Sequence, residues 1–120
     1  MALPVITSRN AVQVPGGNTT VIGRVTNAAT GLYTVPTGKV SRILSASMIL
    51  EAVGADATYA IAINRSSTII PLGEMVAVGA KSTVSPPLIL QADDILTNVG
   101  DAGSTNGTCD MTVTFQEFDV

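Results

Sequence analysis

Asp93, Asp94, Asp101 and Asp110 place four carboxylates within eighteen residues. Loop carboxylates of this kind can hold calcium, but their spacing is not that of an EF-hand and no glutamate stands at the closing position. Asp93-Asp94 reads more simply as a turn before a strand that starts at Ile95. Other chemistries each lack a part. The chain has no histidine, which removes the commonest general base and the commonest zinc ligand. Cys109 is the single cysteine. It has no evident base to activate it and no second thiol to pair with, and reads as a small buried apolar residue. Ser66-Ser67 and the other serines have no imidazole partner, and no GxSxG occurs. Gly16-Gly17 is followed by neither a Lys-Ser/Thr pair nor a helix, so it is not a phosphate loop. A glycosidase with paired carboxylates would also want aromatic sugar platforms, and there is no tryptophan. The sequons at Asn18, Asn64 and Asn106 read as chance matches in a Ser- and Thr-rich chain. The expectation is a protein that is not an enzyme, with no catalytic residue, no metal site and no cofactor.

The elements that would position any site must come from an unusual composition. Hydrophobic residues make up 46% of the 120 and charged residues only 12%, about half the usual share of roughly 25%. Mean hydropathy is +0.43. No stretch approaches the roughly 20 apolar residues of a membrane-spanning helix. MALPVITSRN at the start has neither the basic region nor the apolar run of a signal peptide. A surface that is covered in the working state explains the apolar excess better than a membrane. Net charge is −3. Arg9, Arg24, Lys39, Arg42, Arg65 and Lys81 are scattered, and Tyr33, Tyr59, Phe115 and Phe118 are too few for base stacking, so nucleic acid is not an expected partner.

Alternation, not helical spacing, runs through the chain. In Lys39 to Ala52 the set Leu44, Ala46, Met48 and Leu50 is wholly apolar and is predicted to face the core. Ala57 to Ile63 sets Tyr59, Ile61 and Ile63 against Ala60 and Ala62, and the short 52–56 link containing Gly54 suggests a hairpin between the two strands. Asn64 to Ser67 reads as a turn. Further strands are expected at Thr20–Val25, Leu32–Val35, Thr68–Leu72, Glu74–Val78, Pro87–Leu90, Asp94–Val99 and Asp110–Phe118. The last is the clearest two-faced strand, preceded by the tight-turn pair Asn106-Gly107. Leu44, Met48, Ile61, Val113 and Phe115 are the expected core. About eight short strands indicate an all-β fold, an antiparallel β-sandwich or jelly roll. Residues 21–120 form its single domain. Residues 1–20 are extended: either a frayed terminus or an N-terminal arm that lies across a neighbouring subunit through Leu3, Pro4, Val5, Ile6, Val12 and Val14.

LYTVPTGK at Leu32 to Lys39, followed by VSRILSASMIL, resembles a pattern of small structural proteins of tailed-bacteriophage virions. ATYAIAI, SPPLIL at Ser85 to Leu90, QADDI at Gln91 to Ile95 and the closing MTVTFQEF fit the same pattern, which covers Gly31 to Phe118. The resemblance implies a β-sandwich module, and specifically a capsid decoration (cement) protein at the capsid surface of the virion. Its implied partners are the major capsid protein and further copies of itself, commonly as a trimer, with no membrane. Tail, neck or fibre components and receptor- or carbohydrate-binding modules are the alternatives. The arm is not part of that pattern.

Overall fold

The computed structural model describes residues 5–6, 10–13, 17–26, 31–52, 56–84, 88–101 and 107–120. Among these the chain forms eleven strands and no helix. They are β1 (Val5–Ile6), β2 (Asn10–Gln13), β3 (Thr19–Val25), β4 (Tyr33–Thr34), β5 (Lys39–Ala52), β6 (Tyr59–Arg65), β7 (Thr68–Pro71), β8 (Lys81–Val84), β9 (Leu88–Leu90), β10 (Ile95–Gly100) and β11 (Thr108–Asp119). A five-stranded antiparallel sheet runs β1-β4-β10-β6-β7, and a six-stranded one runs β2-β3-β11-β5-β8, with β9 also pairing β5.

The pairings are nested. β3 pairs β11, β4 pairs β10, β5 pairs β8 and β9, and β6 pairs β7. This is one long antiparallel ribbon whose closed end is the β6–β7 hairpin, rolled so that successive pairs alternate between the sheets. The result is an antiparallel β-sandwich of jelly-roll topology, as expected. At the closed end Ser66 and Ser67 both have positive φ, 51° and 68°. That is the primed two-residue turn whose twist matches the strands it joins.

The 52–56 link is not a hairpin. β5 has β11 on one edge and β8 and β9 on the other, so β6 finds no free edge there and enters the opposite sheet. Nor is Glu74–Val78 a strand. The N–H groups of Leu72 and Gly73 both donate to Ile61 O, which ends β7. Val76 then exchanges one pair of bonds with Tyr59, and Gly79 N donates to Leu50 O across in the other sheet. The segment is a connector over the open side of the sandwich, pinned by the Ser82 hydroxyl donating to Glu74 O at 2.9 Å. The strand that follows, β8, was not among those expected.

The core lies between the sheets. It includes Val21, Leu32, Tyr33, Ile43, Met48, Leu50, Tyr59, Ile61, Leu90, Leu96, Met111, Val113 and Phe115, all buried. The Tyr33 and Phe115 rings stack across it with centroids 3.9 Å apart, a contact that adds about 0.5–1.5 kcal/mol to the burial of area. Met48, Ile61, Val113 and Phe115 sit where expected. Leu44 does not: it is only half-buried. Opposite β11 the register steps from Thr114↔Ser45 to Phe115↔Ile43, so Leu44 is the extra residue of a β-bulge. The bulge changes the parity of β5. Ser41 and Ile43 point inward before it; Ala46, Met48 and Leu50 point inward after it.

Candidate interaction face

The four acidic residues noted in the sequence do not converge. Asp94 is 2% exposed. It binds the Arg65 guanidinium through both oxygens at 2.9 and 2.7 Å and accepts from Gln91 N at 2.8 Å. Asp93, at φ 69°, shapes the turn before β10 and accepts from the Thr37 hydroxyl at 2.9 Å. Asp110 pairs with Arg24 at 3.0 Å on the outer face of β11, and Arg24 holds its carboxyl below the usual aspartate range. Asp101 stands exposed at the end of β10. Three of these carboxylates therefore serve local structure. Among the described residues, no group of three or more Cys, Asp or Glu side chains is placed to hold a metal ion.

Cys109 is buried in the core. Burial pushes its thiol up to about 11, against the opposing effect of the Asn98 amide, which donates to Sγ at 3.1 Å. A thiol held protonated is a poor nucleophile. Burial likewise raises the Tyr33 phenol, helped by its donation to Glu117 Oε2 at 2.6 Å. Both polar ends are used to close the core.

Of the residues expected in an intersubunit arm, Val5 and Ile6 lie opposite Thr34 and Tyr33, and Val12 lies opposite Thr20. These short strands extend an edge of each sheet within the same chain. Leu3, Pro4 and Val14 lie outside the described residues.

What alternation does leave outward is the second face of the six-stranded sheet. Register brings Ile22, Thr112, Ser47 and Thr83 into one row across β3, β11, β5 and β8. Thr20, Thr114 and Ser45 form the next row, with the two threonine hydroxyls bonded at 2.9 Å. Toward one end follow Arg24, Asp110, Ile49 and Lys81, with Glu51 also bonded to Arg24. Toward the other lie Ile89, Arg42 and Gln116, then Val40 and Phe118. Ile22, Ile49, Ile89 and Phe118 are 45–54% exposed here. The centre is thus hydroxyl-bearing and uncharged, with charges only toward the ends. The one sign of this in the sequence was the Thr112, Thr114, Gln116 alternation. Which strands would stand beside β11 could not be read from it.

The opposite sheet presents a different outer face. Ala60, Ala62, Thr97 and Val99 lie on it, and all are buried. Neither a protein-family model, nor a curated protein, nor a solved structure matches the chain.

Proposed function

We propose that the protein is a virion structural subunit, a capsid decoration (cement) protein that binds the major capsid protein on the outer surface of the shell and stabilises it. It acts as a homo-oligomer. The single observation that carries this reading is the exposed six-stranded face, whose uncharged Ser/Thr centre and outward Ile22, Ile49, Ile89 and Phe118 suit burial against protein better than life in water. The phage-type motifs from Leu32 onward add to it. Jelly rolls serve as viral capsid modules, but also as lectins and cupins, so the fold supports the reading without selecting it.

The mechanism is mechanical. Copies that bind across neighbouring shell subunits add contacts that outward pressure must break. Carbohydrate binding is less well supported, because Tyr33, Tyr59 and Phe115 are used in the core and Phe118 alone is left as an exposed ring. The test is co-sedimentation with emptied shells of the virion. Saturable binding at a fixed copy number is the expected result, and a protein left wholly in the supernatant contradicts it.

A further inference from the structure

Among the described residues, the five-stranded sheet's outer face and two sheet edges are poorly suited to a broad contact. The centre of the five-stranded sheet's outer face is already buried. Its β7 edge ends in Pro71, which has no N–H to offer an added strand. The edge strand β8 has four residues and begins with Lys81, both features that discourage edge pairing. The outer face of the six-stranded sheet, by contrast, sets outward side chains in continuous rows across four strands.

Its size is sufficient. β5 and β11 run for at least twelve residues, β3 for seven, and β8 and β9 add four and three on the far edge, which at ~3.4 Å per residue and ~4.8 Å per strand gives a face of roughly 600 Å² before corrugation. A specific, stable interface buries about 600–1,000 Å² per partner. The chemistry narrows the partner further. In a two-fold contact each residue near the axis meets its own counterpart, so a fixed charge there would face itself. The central rows Ile22–Thr112–Ser47–Thr83 and Thr20–Thr114–Ser45 carry none. Their hydroxyls both donate and accept, so identical rows can satisfy each other. Arg42 and Lys81 fall in the outer rows, where a solvated rim tolerates them.

We infer that the occupant of this face is a second copy of the chain, packed sheet on sheet about a two-fold axis through the row that holds Thr112 and Ser47. The inference rests on reading the protein as a self-assembling structural subunit.

Light scattering during gel filtration tests it on the full chain. The wild type is expected at twice the 12.2 kDa chain mass. Ser47→Arg, and independently Thr112→Lys, should run at the chain mass with an unchanged circular dichroism spectrum. Thr68→Arg on the exposed turn end of β7 should stay dimeric. A monomeric wild type overturns the inference, as does a trimer, whose ring needs two different surfaces. So does a dimer that both central variants leave intact. Shell co-sedimentation of the same samples separates the two ideas. A monomer that binds shells removes this pairing and keeps the decoration role, whereas a dimer that ignores shells does the reverse.

Discussion

At the scale of single residues, Ile43 and Leu44 carry opposite expectations from those that alternation suggests. Ile43 is buried in the core and Leu44 is the half-buried residue of the bulge. Ile43→Ala should cost about 2–5 kcal/mol and Leu44→Ala about 1 kcal/mol, measured by urea unfolding. Equal costs would show that both side chains pack alike. Cys109 and Tyr33 set the alkaline limit. Both groups are held protonated by the fold at pH values where the unfolded chain ionises, from 9.0 for the thiol and 10.0 for the phenol. The folded state then binds more protons than the unfolded one, so stability is full below pH 9 and falls as pH rises beyond it. Urea midpoints between pH 7 and 10.5 should decline above 9, and Cys109→Ala should remove the earlier part of that decline. A flat profile contradicts the assignment. Residue roles were legible where period two held. Met48, Ile61, Val113 and Phe115 were placed in the core from alternation alone, and Leu44 was misplaced because a bulge leaves no mark in residue types. The partnership of Asp94 with Arg65, twenty-nine positions apart, depends on β6 and β10 being neighbours, which local pattern does not encode.

At the scale of elements, the bulge makes a prediction about chain length. Between Ile43 and Ala46 two residues stand where one would keep the alternation, so deleting Leu44 should leave Ile43, Ala46, Met48 and Leu50 all facing inward. Deleting Ser47 should turn Met48 and Leu50 outward or force a slip against β11. The first deletion is expected to give folded, soluble protein with dispersed amide resonances, and the second to give none. If both behave alike, the bulge is not what sets the parity. The closed end of the ribbon offers a stabilising change. Ser66 and Ser67 occupy left-handed conformations that L-residues adopt at a cost of roughly 1–2 kcal/mol each. Replacing the pair by Asn-Gly should therefore raise stability by on the order of 1 kcal/mol. A fall in the melting temperature would mean that the serine side chains contribute something the backbone geometry does not reveal. Most strand positions were readable from β-branched runs and their Gly and Pro borders. The 52–56 connection was misjudged because its length suits a hairpin, while the occupancy of both β5 edges, a non-local fact, sends the chain across the sandwich instead.

At the scale of the whole molecule, charge and hydropathy are distributed unevenly. The six-stranded face carries Arg24, Arg42 and Lys81 against Glu51 and Asp110, while most of the remaining acids lie in turns and connections, among them Asp56, Glu74, Asp93 and Asp101. The chain is acidic overall, and the six-stranded face is not. That separation leaves a flat, weakly charged surface able to approach protein closely. The composition alone pointed to a covered surface but not to its location, because which residues share a face follows from strand order.

Shell stability measures this most directly. Emptied shells of the virion, with and without saturating protein, are heated and followed by loss of scattering and release of shell subunits. Decorated shells should break at a higher temperature than bare ones, with the gain tracking occupancy and shrinking for Ser47→Arg. Identical disruption temperatures at full occupancy, or no occupancy at any concentration, would contradict a stabilising structural role.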